Sequence, residues 1–213
     1  LARLVSIMMS LGSIIFIYLI VKRQWDKVTG LISALIFAVL PFNIYFSRVV
    51  LPEPTLIFFC LGMFYFTDIW IWEKNKKSFL LSAIFTMCAF LIKPVAIFYL
   101  LPLGYSYLQK EEKIWPIPGR YYLWGAVSFI PFISWRIWMQ NFPEGIPASN
   151  WLFNGNHIRF RPAFWRWIFG DRLGREILTM AGSFLFFLGF IKKNEKGGAI
   201  LYLLGLSSFA YLS

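Results

Sequence analysis

The stretch "SRVVLPEP", residues 47–54, places an arginine and a glutamate between two long apolar runs. Arg48 could hold a phosphate group through two guanidinium contacts. Glu53, held between Pro52 and Pro54, could bind a sugar hydroxyl, assist a metal or orient a catalytic group. The alternative is local: Glu53 would stabilise a helix N-terminus that has Pro54 at its first position, and Arg48 would reach lipid headgroups. Both interpretations stay open on these residues alone.

A second candidate cation, Lys93, precedes Pro94 in the apolar stretch "FLIKPVAIF". Pro94 lacks a backbone donor and disfavours helix at Lys93, so the chain is expected to break there. A lysine at such a helix end often extends its ammonium group to the membrane surface. The functional alternative is contact with a departing phosphate, because a fixed cation stabilises the charge that develops on it.

The composition indicates the elements that position these residues. Of 213 residues 59% are hydrophobic and 15% are charged, whereas a soluble domain has about 45–50% apolar and about 25% charged residues. The sequence therefore predicts an all-α, polytopic transmembrane helical bundle, a multi-pass integral membrane protein. A net charge of +11 would suggest nucleic acid in a soluble protein. In a membrane protein Lys and Arg collect in loops beside anionic lipids, so we expect membrane lipids and no nucleic acid as partners.

Apolar runs of span length predict about eight membrane segments. They are Leu4–Val21, Val28–Phe46, Thr55–Trp72, two short helices within Ser78–Leu108, Tyr121–Met139, Ile177–Ile191 and a run from Ala199 onward. The lysine-rich loops are 22–27, 73–77, 109–120 and 192–198. If the chain reverses at Lys93–Pro94, they share one face, predicted to be cytoplasmic. Arg3, Arg48, Glu53 and Lys93 then lie on the opposite face. If Ser78–Leu108 is a single tilted helix, the later loops exchange sides.

One transmembrane domain is expected over residues 1–213. Leu1 is not Met, and "LLGLSSFAYLS" ends inside an apolar run, so we expect a domain truncated at both ends. Residues 140–176 are predicted to form an extracytoplasmic loop with an interfacial helix in "FWRWIFGDRLGREI", since aromatic rings favour the headgroup level. Alternatively this loop covers a cavity, and Arg159 and Arg161 reach a phosphate there. The single histidine, His157, is interpreted as an ordinary polar contact.

Three stretches together resemble a known family. They are "LARLVSIMMSLGSIIFIYLI", "GLISALIFAVLPFNIYFSRVVLPEPTLIFF" and "LLSAIFTMCAFLIKPVAIFYLLPLGYSYL". Their order is similar to that in polytopic GT-C glycosyltransferases of the protein O-mannosyltransferase and aminoarabinose-transferase type, including the Rgt-like branch. The resemblance covers about residues 1–110. It implies an extracytoplasmic active site that transfers a sugar from a polyprenyl-phosphate donor to a glycan, lipid or protein acceptor.

The resemblance also implies roles for individual residues. Glu53 would be the supporting acid of the second outer turn, where Asp is more frequent. Lys93 would lie near the lipid phosphate, and Tyr45, Arg48 and Arg3 would help bind the donor. The principal catalytic acid would lie in a loop before Leu1, so the fragment alone is expected to be inactive. No cofactor is assigned, and a divalent metal stays open.

Two other classes of protein remain. A transporter or flippase for a lipid-linked or anionic substrate could use the same cations, and it would show pseudo-symmetric halves with broken helices at the membrane midplane. A structural membrane subunit would scatter Arg3, Arg48, Glu53 and Lys93 through the bundle. The glycosyltransferase instead requires these side chains to converge.

Overall fold

The structure, a computed structural model, describes residues 2–113, 115–142, 157 and 160–178, with short pieces at 182–184, 188, 199–200 and 203–205. All regular structure in these residues is helical, which confirms the all-α prediction. The chain divides into two compact units. One contains the described residues up to Phe132 and those at 199–205, and the other contains those from Ile133 to Leu188.

The first unit is built from a chain of apolar helices. They are α1 (Ala2–Gln24), α2 (Lys27–Val39), α3 (Pro41–Arg48), α4 (Glu53–Glu73), α5 (Lys76–Ile92), a 3₁₀-helix (Pro94–Tyr99), α6 (Leu100–Glu111) and α7 (Gly119–Met139), whose last turns belong to the second unit. In that second unit α8 (Pro162–Arg166) continues into a π-helix, Trp167–Ile177.

Two helices in the described part of the chain, α1 and α4, are long and apolar enough to cross a membrane. The count rises to three if the bent pair α2–α3 forms one span. This is fewer than the eight segments predicted. Helices α5 and α6 have 17 and 12 residues, and both are shorter than the roughly 20 residues that a span needs. The segments predicted at 177–191 and from 199 onward lie largely outside the described residues.

The predicted second span, Val28–Phe46, is not one continuous helix. It consists of α2 and α3, which meet at an angle of 59°. Pro41 lacks a backbone N–H and disfavours helical geometry at the residue before it. Leu40 accordingly has ψ 125°, which is extended. The proline thus ends α2 and begins α3 as its first residue.

Polar contacts between side chains show in which direction each helix around α4 runs. Arg23, near the end of α1, pairs with Asp68 and Glu73 near the end of α4, so α1 and α4 run the same way. Lys93 at the end of α5 contacts Glu53 at the start of α4, so α5 runs back. Helix α6 reverses again, because Ser106 reaches Asp68. The reversal predicted at Lys93–Pro94 is therefore confirmed.

These directions define two ends of the first unit. We call the end with Glu53 and Lys93 the Glu53 end. The other, the lysine end, carries residues 22–27, 73–77 and 109–113. They belong to three of the lysine-rich loops that were predicted to share one face, the third of which was predicted over 109–120. The loop at 192–198 lies outside the described residues, and the assignment of the lysine end to the cytoplasm stays a prediction.

The core of this unit surrounds α4, which packs chiefly against α5 and α1. Phe64 and Met63 of α4 are fully buried, and Phe16 of α1 packs edge-on against Phe85 of α5 with ring centroids 5.5 Å apart. Gly62 leaves room for the Phe85 ring, which a Cβ at this position would meet. This packing holds the first turn of α4 beside the last turn of α5.

Candidate functional site

Glu53 and Lys93 form an ion pair at the Glu53 end. Lys93 Nζ donates to Glu53 Oε1 at 2.6 Å, although 40 residues separate the two in sequence. The side chains are 25% and 35% exposed, respectively, so the pair is partly shielded yet open to solvent. The geometry thus places a carboxylate and an ammonium group in direct contact at the surface of the bundle.

The backbone presents both side chains at helix ends. Glu53 is the first residue of α4, one residue earlier than predicted, and Pro54 follows it in the first turn. Lys93 caps α5 in extended geometry (φ −150°, ψ 132°), and its N–H still donates to Ala89 O at 3.1 Å. The partial positive charge at the start of α4 favours the carboxylate, and the negative end of α5 favours the ammonium. Each helix dipole therefore stabilises the charged side chain at its own helix end.

The second carboxylate oxygen of Glu53 is in a different situation. Oε2 is buried and has no hydrogen-bond partner among the described residues. A buried carboxylate oxygen without a hydrogen-bond partner lowers the stability of the fold. Glu53 is thus engaged through one oxygen and retains accepting capacity on the other.

Tyr45 and Arg48 line a separate, open groove along α3. The groove has a volume of about 440 Å³. Both side chains are exposed, and Arg48 stands in the last turn of the helix. The lining is an apolar helix face with one guanidinium at its end, which suits a lipid chain that carries an anionic group. The lining residues are Pro41, Ile44, Tyr45, Arg48 and Val49.

The remaining predicted site residues are more dispersed. Arg3 is exposed in the first turn of α1, and the direction of α1 puts it toward the Glu53 end. Among the described residues, no hydrogen bond or ion pair joins Arg3, Tyr45 or Arg48 to Glu53 or Lys93. Arg161 is the exposed residue that precedes α8 in the second unit, and Arg159 lies outside the described residues. The structure brings two of the predicted residues into contact and leaves the roles of the others as predictions.

Sequence reasoning missed a buried acid, Asp68, near the lysine end. Its Oδ2 accepts from Arg23 Nε at 2.9 Å, and its Oδ1 accepts from the Ser106 hydroxyl at 2.5 Å. Trp72 Nε1 also donates to Ser106 Oγ, at 3.2 Å. An acid inside the apolar run "FYFTDIWIW" is the signal that could have revealed it, because such residues are costly and need partners.

Asp68 is distant from Glu53 along the same helix. They are 15 positions apart in α4, which at 1.5 Å per residue is about 22 Å. The two polar clusters therefore stand at opposite ends of the helix. Nowhere in the described residues is a group of three or more His, Cys, Asp or Glu side chains placed to hold a metal ion.

Comparison with known proteins gives one match. Residues 1–138 match the sequence model of the dolichyl-phosphate-mannose-protein mannosyltransferase family. No curated protein and no solved structure matches the chain. The matched region covers well over half of the chain and includes α1 to α6, with both residues of the Glu53–Lys93 pair. The chain therefore belongs to the dolichyl-phosphate-mannose-protein mannosyltransferase family, a family of membrane glycosyltransferases.

Proposed function

We propose that the Glu53 end is the donor phosphate site of an inverting GT-C glycosyltransferase. The enzyme transfers a sugar from a polyprenyl-phosphate donor to a glycan, lipid or protein acceptor on the extracytoplasmic side of a multi-pass membrane domain. The observation that carries the proposal is the partly exposed Lys93 ammonium, presented at a helix break and paired with Glu53 at 2.6 Å. The family match supports glycosyl transfer in general.

In this proposal Lys93 binds the phosphate that leaves with the polyprenyl chain. A fixed ammonium group stabilises the charge that builds on the leaving oxygen as the sugar–phosphate bond breaks. Arg48, at the end of the α3 groove, adds a second cation, and the apolar wall of the groove accepts the first part of the polyprenyl chain. Arg3 contributes positive potential at the same end.

Glu53 serves as a supporting acid in this site. One of its oxygens accepts from Lys93. Its free oxygen Oε2 can accept a hydroxyl of the sugar or of the acceptor. Such a contact orients the reacting groups without a change in the protonation of Glu53.

The transporter alternative requires matching broken helices in two related halves. The described residues contain one bent helix pair, α2–α3, and no second pair that corresponds to it. No observation here favours that alternative. The extracytoplasmic position of the site remains part of the proposal, and contact of Arg159 and Arg161 with a phosphate remains a prediction from the sequence.

The test uses the full-length protein in membrane vesicles with a polyprenyl-phosphate donor that carries radiolabelled mannose. Lys93→Ala should reduce transfer by about 10²–10³-fold, as when an electrostatic contact to a developing charge is removed. Lys93→Arg should retain much of the activity, because it keeps the charge. Lys77→Ala, an exposed residue of the lysine end, is the matched control and should leave transfer unchanged.

Full activity in Lys93→Ala would remove the proposed phosphate site. Failure of the wild-type enzyme to transfer any sugar from polyprenyl-phosphate donors would contradict the donor class itself.

A further inference from the structure

We propose that Glu53 is a displaceable counter-anion for Lys93, which holds the cation before the donor binds and yields it to an incoming phosphate. This inference rests on the proposed function, because it assumes that Lys93 binds the donor phosphate. It adds that the site is regulated by competition between two anions. Glu53 then controls how tightly the phosphate is held and how readily the spent lipid phosphate leaves.

The first support is the contact itself. Lys93 Nζ and Glu53 Oε1 lie at 2.6 Å, the close spacing of a charge-assisted hydrogen bond. A phosphate oxygen that approaches Lys93 needs the same region of space around the ammonium. The carboxylate and the phosphate are both negative, so the phosphate gains most of its attraction only when Glu53 moves away.

The second support is that the pair is exposed enough to open. The side chains of Glu53 and Lys93 are 25% and 35% exposed, respectively, so water can solvate each of them when the contact breaks. Separating the two charges therefore costs less than it would in a dry interior. Each partner also stays at a helix end that favours its charge. The pair is therefore a contact that can exchange partners, in contrast to the Asp68 pair, whose carboxylate is 2% exposed.

The third support is the environment of the second carboxylate oxygen of Glu53. Glu53 Oε2 is buried without a hydrogen-bond partner among the described residues. Rotation of the carboxylate away from Lys93 can therefore improve its hydrogen bonding, for example to a hydroxyl of an arriving sugar. Displacement by the phosphate and engagement of the sugar are thereby coupled at one side chain.

The charge of the phosphate before and after transfer determines how the product is released. The donor is a phosphodiester with one negative charge, and transfer converts it into a phosphomonoester, whose charge near neutral pH approaches two. The product would bind Lys93 more tightly than the donor if nothing opposed it. Glu53 opposes it through like-charge repulsion and recaptures Lys93 as the lipid phosphate leaves.

The experiment measures binding of farnesyl phosphate to the full-length protein in nanodiscs of zwitterionic phosphatidylcholine, which has no net charge. Farnesol is the uncharged matched ligand. Glu53→Gln should tighten farnesyl phosphate binding by about tenfold, since one opposing charge is lost. Lys93→Gln should weaken it by about tenfold. In the double variant that combines Glu53→Gln with Lys93→Gln, the first substitution should no longer tighten farnesyl phosphate binding. The reason is that the lysine cation that Glu53 would otherwise hold is absent. Farnesol binding should be equal in all four proteins.

Glu53→Asp keeps the charge at the start of α4 but shortens the side chain, so the contact with Lys93 loosens. It should also tighten farnesyl phosphate binding, by less than Glu53→Gln, and it serves if Glu53→Gln does not fold. In turnover assays Glu53→Gln should lower KM and increase inhibition by the polyprenyl phosphate product, two changes that a purely structural role would not produce.

The outcomes separate the two proposals. If farnesyl phosphate binds no better than farnesol to the wild type, and Lys93→Gln changes nothing, the phosphate site of the proposed function is wrong and this inference is wrong with it. If the wild type and Lys93→Gln behave as expected while Glu53→Gln and Glu53→Asp leave binding unchanged or weaken it, only the displacement by phosphate is wrong.

Discussion

Arg23 Nε donates to Asp68 Oδ2 at 2.9 Å, and this ion pair ties the end of α1 to the end of α4. The Asp68 side chain is 2% exposed, and that of Arg23 is 31% exposed. The same carboxylate accepts from Ser106 on α6, so one acid joins three helices. A buried charge with partners on two neighbouring helices fixes the register of all three, because any slip would leave it unpaired.

Asp68→Ala should therefore destabilise the protein by about 3 kcal/mol, the lower end for a broken buried pair, since Arg23 can still reach solvent. Chemical unfolding in detergent would measure this loss. Glu73→Ala is the matched control, because Glu73 pairs with the same arginine at 3.2 Å but is 51% exposed. That substitution should cost at most about 1 kcal/mol. Equal stability of the two variants would contradict the central role of Asp68.

Gly30→Ala should separate α1 from α2. A Cβ at Gly30 would lie 3.0 Å from Tyr18 O and 3.1 Å from Lys22 N, both backbone atoms of α1. Backbone atoms in a helix cannot move aside individually, so we expect a loss of about 1–3 kcal/mol in unfolding free energy.

Gly104→Ala is the control for this glycine, because a Cβ there meets nothing within 4 Å. In the interior of α6 alanine should stabilise the helix by up to about 1 kcal/mol. The same unfolding assay reports both variants. If Gly30→Ala is as stable as Gly104→Ala, then α1 and α2 do not pack as closely as described.

Asp26 should give α2 a stability that depends on pH. It caps α2 by accepting from Val28 N and Thr29 N, and it also accepts from the Thr29 hydroxyl at 2.6 Å. The hydrogen bonds from Thr29, from its hydroxyl first and then from its N–H, lower the pKa of Asp26 below the ordinary 3.8. A lowered pKa in the folded state means that the charged cap stabilises the fold above 3.8 and that this contribution is lost as pH falls through the folded-state pKa.

Asp26→Asn keeps a capping oxygen that does not titrate, so it isolates this effect. Between pH 7 and about pH 3 the wild type should lose more thermal stability in detergent than Asp26→Asn does. Parallel losses in the two proteins would show that the charge on Asp26 contributes nothing.

The predicted interfacial helix, residues 164–177 in the second unit, should lie in the membrane interface. Trp165 and Phe169 stack on one side with ring centroids 6.0 Å apart, and both are exposed. Asp171 and Arg175 pair with each other at 3.2 Å. Two residues along a helix turn it by about half a revolution, so this pair lies opposite Phe169. The aromatic side suits lipid and the charged side suits water.

An environment-sensitive fluorophore on Phe169→Cys should emit at shorter wavelength in vesicles than the same label on Arg175→Cys. Cys60 is buried and Cys88 is partly buried, so background labelling should be low. The parent protein, which lacks the introduced cysteine, measures that background. Equal, water-like emission from both positions would contradict the interfacial placement.

The local features of the chain were predictable from its sequence. The length and apolarity of α1 and α4, and the reversal at Lys93–Pro94, follow from composition and from proline geometry, which act over a few residues. Pro41 carried the same signal for the bend between α2 and α3, but the prediction of one span over Val28–Phe46 did not use it. The two short helices predicted within Ser78–Leu108 are present as α5 and α6, but neither is long enough to count as a span.

The contacts that matter for function arise from packing. Glu53 and Lys93 are both recognisable as charges at helix ends, but their contact at 2.6 Å depends on how α4 and α5 rotate and slide against each other. Contacts far from the pair set that register, such as Gly62 of α4 beneath the Phe85 ring of α5. Local periodicity specifies which face of a helix is apolar, whereas close packing between helices specifies which charges meet.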